Sequence, residues 1–494
     1  MKLNKILKAC DFKMEVSENL DFNIKGLSIH SKSVKDNYIF GAIKGNKQNG
    51  EDFVADLQHI KNLVVVISKN SFVDRNFKKS GNIIFIKVND VRFFISKICS
   101  IIFPNNIEKK FAVTGTNGKS SVAEYVLQIW EYLRINSALI GTLGVKYKKK
   151  ISINPDLNLT TPDVVNFHKV LNKLDKSGCR NVIFEASSIG LDQKRLSPEK
   201  FNVVAFTNLS NDHLDYHKSI RNYKFSKSLL FLNHTHKNSL AVINTDTKYS
   251  KYFINICNSH NLRVLDYGKK ANFLKIKSIK RIKEKLILQV IFKGEIISTN
   301  LNCISEFEIY NRLCSLVMVF NKDLKSKNFR ILNDLHNPKG RIEKIYDKEQ
   351  KRVYIDYAHT PDALSQVLSS LRKITKRKLI LVFGCGGDRD QEKRKIMTNV
   401  ALKFSDLIFI TDDNPRFESP EKIRNDMIIG LKELELEKIR IIGNRSKAIS
   451  SAIKLLSKQD ILLIAGKGHE NYQIINGERK KFSDESTAKR FLKK

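Results

Sequence analysis

Thr114-Gly115-Thr116-Asn117-Gly118-Lys119-Ser120-Ser121 follows the apolar run Phe111-Ala112-Val113 and precedes Val122-Ala123-Glu124-Tyr125-Val126-Leu127. The apolar run reads as the end of a buried strand. The segment after the loop has the apolar spacing of a helix. A glycine-rich turn from strand to helix aims backbone N–H groups at one point, and the helix N-terminus adds its dipole. Lys119 brings a full positive charge to that point, and the Ser120 hydroxyl can bind Mg²⁺. Gly115 to Ser121 therefore reads as the phosphate cradle of a nucleoside triphosphate site. The alternative, a tight glycine turn beside an incidental Lys-Ser, does not account for the flanking strand and helix. The loop is short: two residues separate Gly115 from Gly118, where the usual P-loop has four.

Working outward, 494 residues are enough for about three domains, each with its own core. Hydrophobic residues make up 41% of the chain, as in a globular protein. No apolar run is long enough to span a bilayer, and the basic N-terminus lacks the apolar stretch of a secretory signal. The seven cysteines are scattered, with no C-x-x-C pair. Free thiols in a reducing cytoplasm are expected, without zinc. Lys and Arg outnumber Asp and Glu by 88 to 51. A basic surface for nucleic acid is one reading. The other, preferred here, is a Lys-rich bias over solvated faces, because runs such as Lys148-Lys149-Lys150 and Lys280 to Lys285 are dispersed and lack stacking aromatics.

An α/β chain of three domains is predicted. Residues 1–107 carry β-like runs at Tyr38–Phe40, Leu63–Ile67 and Ile83–Ile86. Residues 108–334 hold the P-loop strand and further strands at Val182–Phe184, Val203–Phe206 and Leu240–Ile243, with helices between them, as in a mostly parallel sheet. Residues 335–494 repeat the alternation around Val353–Ile355, Leu379–Phe383, Leu407–Ile410 and Ile461–Ile464, as in a Rossmann-like domain.

Glu185 closes one of the central strands, where a carboxylate can hold Mg²⁺ beside a triphosphate. Alone, the string Asp212-His213-Leu214-Asp215-Tyr216-His217 reads equally well as a helix start capped by Asp215 or as a metal position. The preceding strand sets it at the sheet edge of the P-loop and Glu185, which favours a second metal position with His213 as ligand. Lys227 sits in an amphipathic pattern whose lysines read as solvated.

With these residues the chain resembles the Mur ligase family over essentially its whole length. The short G-T-N-G-K-S loop, Leu159-Thr160-Thr161-Pro162-Asp163, Glu185 to Arg195 and the Asp212–His217 string carry the resemblance. So do Asp356-Tyr357-Ala358-His359-Thr360-Pro361-Asp362, Gly384 to Asp390, Asp413-Asn414-Pro415-Arg416 and Gly466-Lys467-Gly468-His469-Glu470. The resemblance implies an N-terminal domain binding a UDP-muramoyl group, a central ATPase domain and a C-terminal amino-acid-binding domain. It implies an ATP- and Mg²⁺-dependent ligase of peptidoglycan synthesis that works through an acyl phosphate, as a cytoplasmic monomer without nucleic-acid or membrane partners. Lys119, Glu185, His213 and Lys227 take the catalytic positions, and Ser120, Glu185, His213 and Lys227, the last as its N-carbamate, take the metal positions. Asn311 matches an adenine contact, and Arg341 and Asp356 match contacts to phosphate and ribose. Ser31 matches a uridine contact. Thr160, Thr161, Ser187, Gln193 and Arg195 match contacts to the muramoyl-dipeptide.

The acceptor site corresponds to Arg389, Asp413, Asn414, Pro415, Arg416, Gly466 and Glu470. Members that add meso-diaminopimelate carry D-N-P-R, and a guanidinium offers the distal carboxylate of that amino acid a bidentate fork. Lysine lacks this carboxylate and would leave Arg416 unpaired. The chain departs from the family pattern at Ile189, usually His, at His30-Ser31-Lys32, usually Asp-Ser-Arg, and at Lys218, usually Gly. Folylpolyglutamate synthetase shares the loop and the chemistry but usually lacks a long domain before it. A P-loop protein binding nucleic acid is the remaining rival, resting on the charge alone.

Overall fold

The computed structural model describes residues 1–17, 21–45, 48–77, 83–148, 150–152 and 159–493. Lys149 of the first lysine run lies outside them. Three parallel-rich sheets follow one another along the chain. The first has five strands in the order Glu15–Val16, Ile83–Val88, Leu63–Ser68, Tyr38–Gly41 and Gly26–Ser28. Only the edge pairing of Glu15–Val16 is antiparallel. The run Leu63-Val64-Val65-Val66-Ile67 is wholly buried because it is covered on both faces: Val64 and Val66 join one core cluster, Leu63, Val65 and Ile67 the other.

The central sheet has eleven strands. The P-loop strand Lys109–Thr114 lies between Phe201–Phe206 and Asn181–Glu185, parallel to both. Register then sets the site. Glu185 pairs with Val113 and Phe206 with Thr114, so the loops after all three strands open side by side at one sheet edge. Alternate residues face opposite cores: Phe111 and Val113 one way, Ala112 the other. The helix Lys119–Tyr132 packs against Glu306–Phe320 through Val122, Val126 and Ile129 on one side and Ile309, Leu313 and Leu316 on the other.

The sheet also grows by antiparallel strands absent from the sequence reading, Leu274–Ile282, Lys285–Phe292 and Glu295–Leu301. In the first of them exposed Lys275 and Lys277 alternate with buried Leu274 and Ile276, and in the second Leu286, Leu288 and Val290 are buried in turn, so a one-sided ribbon was hidden around what reads as a charge run. The solvated-face reading also misses Arg281, whose Nη2 donates to the Ile304 carbonyl and whose Nε and Nη1 are buried.

The third sheet has six strands, in the order Glu343–Lys348, Lys351–Asp356, Ile461–Ala465, Leu379–Phe383, Leu407–Ile410 and Ile439–Ile441. Five are mutually parallel, and Glu343–Lys348 pairs antiparallel at the edge. The four C-terminal motifs all leave from the carboxyl ends of this sheet. All seven cysteines are free and buried. Among the described residues no helix is long and apolar enough to cross a membrane.

Candidate active site

The glycine loop is braced from its neighbour strand. The Asn117 N–H donates to Asn208 Oδ1 at 2.9 Å, and the Asn117 carbonyl accepts from Thr207 Oγ1 at 2.6 Å and Asn208 Nδ2 at 3.1 Å. Gly118 has φ +89°, and a Cβ there would lie 2.5 Å from Asn311 Oδ1, so only glycine allows this approach. Asn311 is brought there by the helix Glu306–Phe320, which is started by a capping box between Ser305 and Glu308. Asn117, Gly118, Ser121, Asn311, Arg341 and Asp356 surround one cavity of 50 Å³. A larger one of 430 Å³ adjoins it, with Asn208, Phe307, Asn311 and Gln366 in both walls.

Two lysines converge on the loop. Lys119 Nζ donates to the Gly115 and Thr116 carbonyls, both at 2.9 Å, and Lys227 Nζ donates to the same Gly115 carbonyl at 2.8 Å. Lys227 is 1% exposed, which corrects the reading of its helix as carrying only solvated lysines. Burial, and then repulsion from Lys119, holds its amine well below the usual lysine range. Burial also lowers Lys119, opposed by Glu185 and Asp212.

Glu185 is the hub of the site. Its Oε2 accepts from Ser120 Oγ at 2.7 Å and Thr142 Oγ1 at 2.9 Å, and its Oε1 from the Thr142 N–H at 2.9 Å. The Glu185 carbonyl accepts from Thr161 Oγ1 at 2.8 Å, and Thr161 Oγ1 lies 2.9 Å from Ser187 Oγ. Arg195 continues the chain, donating Nη1 to the Thr161 carbonyl and both Nε and Nη2 to Gln193 Oε1. Thr142 Oγ1 lies 3.2 Å from Thr160 Oγ1. Thr161, Ser187, Gln193 and Arg195 thus form one hydrogen-bonded group on the Glu185 main-chain carbonyl, and Thr160 is linked through Thr142 to the same carboxylate as Ser120. Ser31 stands apart: it opens the turn Ser31–Ser33, and its neighbour His30 lines the adjoining cavity with Gln193 and Arg195. Ile189 sits half-buried in the helix Ser188–Asp192.

His213 adopts φ +54°, with Nε2 3.5 Å from Asp212. Burial lowers its pKa despite that carboxylate. Asp212, although burial opposes it, is held down at about 2 by His213, His359, Lys393 and Lys119. At Lys218, where the family usually has glycine, φ is +65°, so the glycine preference has a backbone reason.

The residues expected to form the acceptor site, Pro415 apart, gather around a cavity of 140 Å³ that Asp212, His213 and Asp215 also line. Arg416 Nη1 donates to the Gly387 carbonyl at 2.7 Å and the Asn414 carbonyl at 3.3 Å. Arg389 lies 3.5 Å from Asp215, bridging the third sheet to the second. Gly466, at φ +110°, lets Asp413 Oδ2 approach to where a Cβ would be only 2.8 Å away. Pro415 is buried, and its carbonyl accepts from the Glu418 N–H at 3.1 Å. Lys467, fully buried, donates to Glu470 Oε2 at 2.6 Å and Asn414 Oδ1 at 3.1 Å.

Four residues of this site were missed in the sequence. Thr142 and Asn208 are lone polar residues after strands. Asp362 Oδ2 accepts from Asn117 Nδ2 at 3.1 Å and Ser210 Oγ at 3.3 Å, reaching the P-loop from the third sheet. Lys467 stands inside the Gly466–Glu470 motif, where only its burial shows what it holds.

A P-loop between parallel strands, a carboxylate hub and a second α/β unit closing over it define an ATP-handling ligase architecture. Family models described as "Mur ligase middle domain" and "Mur ligase, glutamate ligase domain" match residues 113–319 and 340–468. The UDP-N-acetylmuramoyl-L-alanyl-D-glutamate–2,6-diaminopimelate ligase of Rickettsia conorii is 38% identical over 483 residues, covering 95% of this chain and 96% of its own. The enzyme of the same name from Aquifex aeolicus is 37% identical over 471 residues, covering 95% and 94%. A solved structure of a ligase of that name aligns with TM-score 0.63 at 28% identity over 95% of both chains. A folylpolyglutamate synthase of Mycobacterium tuberculosis shares the fold at TM-score 0.62 and 17% identity, over only 74% of this chain. The chain belongs to the Mur ligase family.

Proposed function

We propose that this chain joins meso-diaminopimelate to UDP-N-acetylmuramoyl-L-alanyl-D-glutamate, consuming ATP and releasing ADP and phosphate, in peptidoglycan synthesis. One observation carries the reading: Glu185 binds the phosphate cradle through Ser120 and the muramoyl-dipeptide residues through Thr161. A substrate carboxylate bound there lies beside a transferring phosphoryl group. An oxygen of the D-glutamate γ-carboxylate attacks the γ-phosphorus, and ADP leaves. The diaminopimelate amine then attacks the acyl carbon of the resulting acyl phosphate, phosphate leaves, and the amine proton passes to solvent or phosphate. Lys119 swings from its two carbonyls to the triphosphate, and Arg341, whose Nη2 lies 3.5 Å from Ser120 Oγ, reaches it from the third sheet. Asn311 meets the adenine and Asp356 the ribose.

Mg²⁺ fits the donor set at Ser120 and Glu185, two hard oxygens at a helix N-terminus, and would neutralise charge on the triphosphate there. His213 and Lys227 hold a second ion only if Lys227 carries a carbamate, since as an amine it donates to a carbonyl. Its buried, depressed amine is the form that combines with CO₂. The UDP-muramoyl group occupies residues 1–107 with Ser31, ATP residues 108–334, and the acceptor residues 335–494. Arg416 and Arg389 face the distal carboxylate of diaminopimelate, and Gly466 and Glu470 its distal ammonium. Leaving Arg416 unpaired would disfavour lysine by about several kcal/mol. The enzyme works as a cytoplasmic monomer, where ATP and UDP-linked precursors are made. The test is phosphate release dependent on ATP and UDP-muramoyl-dipeptide, with meso-diaminopimelate or L-lysine as the sole acceptor. Release with meso-diaminopimelate is expected; preference for lysine would overturn the acceptor assignment.

A further inference from the structure

Beside the muramoyl-dipeptide residues lies a cavity of 430 Å³ with walls from all three sheets' units. His30 and Arg92 come from the first, Asp163, Gln193 and Arg195 from the second, and Arg479 from a hairpin of the third. Three guanidinium groups face one carboxylate, and that carboxylate is occupied. Asp163 Oδ1 accepts from the Val165 and Asn166 N–H groups, and its Oδ2 from Asn166 Nδ2. The cavity is therefore suited to an anion.

The three arginines are not equally available. Arg195 is engaged by Thr161 and Gln193, and Arg92 Nη2 donates to the Lys44 carbonyl at 2.8 Å. Among the described residues the Arg479 side chain has no ion pair or hydrogen bond, and its guanidinium rests over the Tyr472 ring at 4.8 Å. A stacked fork with free N–H groups is preset for phosphate or carboxylate.

We propose that Arg479 is a donor-binding residue contributed by the C-terminal unit, pairing with an anionic group of the UDP-muramoyl-dipeptide. This rests on the donor assignment made above. It also couples the two substrates. Arg479 pairs with Ile474 across the hairpin Tyr472–Ile475 and Glu478–Lys481. The Arg416 N–H donates to the Ile474 carbonyl at 2.9 Å, and the Asn476 N–H to the Arg416 carbonyl at 2.6 Å. An anion held by Arg479 therefore holds the backbone of the acceptor loop as well, and bound donor raises acceptor affinity.

Calorimetric titration of the full chain with UDP-N-acetylmuramoyl-L-alanyl-D-glutamate tests this, using wild type, Arg479→Ala and Arg479→Lys. Arg479→Ala is expected to weaken donor binding about tenfold, with Arg479→Lys between the two. The KM for ATP should not change, and the KM for diaminopimelate should no longer fall as donor is raised. The same titration with the dipeptide lacking UDP identifies the anion: a loss confined to the UDP-bearing donor points to the diphosphate, and an equal loss with both to a carboxylate. Equal donor affinity in wild type and Arg479→Ala would overturn the inference while leaving the ligase reading intact. Failure of the wild type to bind donor would overturn both.

Discussion

The phosphate cradle and the acceptor cavity are both rich in basic side chains, but they keep them differently. At the cradle, Lys119 and Lys227 donate only to main-chain carbonyls. At the acceptor cavity, Lys467 is paired with Glu470 and Arg389 lies beside Asp215, while Arg416 donates only to main-chain carbonyls. The first site keeps Lys119 free of any carboxylate hydrogen bond, ready for an incoming polyanion. The second already pairs two of its cations and leaves Arg416 open, so it offers a zwitterionic amino acid a pattern of both charges. The difference matches the two ligands: a triphosphate carries net charge, an amino acid mostly a pattern of charges.

The sharpest way to break this comparison is Lys119→Ala. Removing the uncompensated charge should lower phosphate release by roughly 10³-fold, while the fold, followed by circular dichroism, is retained. Lys227 follows. Its amine lies well below the usual lysine range, so the neutral form that adds CO₂ exists at lower pH than for an exposed lysine, and is lost as pH falls through that value. With ¹³C-bicarbonate, a carbamate resonance is expected in the wild type at pH 8, weaker at pH 6, and missing in Lys227→Met. If no resonance appears at either pH, Lys227 is an ordinary buried amine.

At the acceptor cavity, Arg416→Lys should raise the KM for meso-diaminopimelate by about tenfold, leaving the KM for ATP unchanged. Asp362→Asn weakens the Asn117 contact between the two sites. A rise of roughly threefold to tenfold in the KM for ATP is expected for one hydrogen bond to a charged group. The smallest effect is at Lys218, on the segment between the sites. Lys218→Gly relieves φ +65° and should stabilise the protein by about 1 kcal/mol in urea unfolding.

Not all of this was readable from the chain. The loop Gly115–Ser121 was, because glycine spacing, a strand and a helix are local signals. The parallel strands were, because both faces are covered and their apolar runs are continuous. The ribbon Leu274–Leu301 was not, since one face is solvated and its lysines mask the alternation. Lys227 reads as a surface lysine because helical spacing does not reveal that its helix, Ile220–Asn233, packs beneath the P-loop. The acceptor residues lie on loops far apart in the chain, and only resemblance grouped them before the sheet order did. Asn208 and Arg479 stand outside the quoted motifs, Asp362 closes one without declaring its partner, and their meeting points exist only in the folded molecule.

The buried cysteines allow the molecule to report on its own opening. Cys10 and Cys99 belong to the first sheet's core, Cys179, Cys257, Cys303 and Cys314 to the second's, and Cys385 to the third's. Burial raises the pKa of every one of these thiols, which slows their alkylation in the native state. Pulsed thiol labelling read by mass spectrometry thus becomes a clock with hands in all three units, showing which core admits solvent first and which of them a bound nucleotide keeps shut.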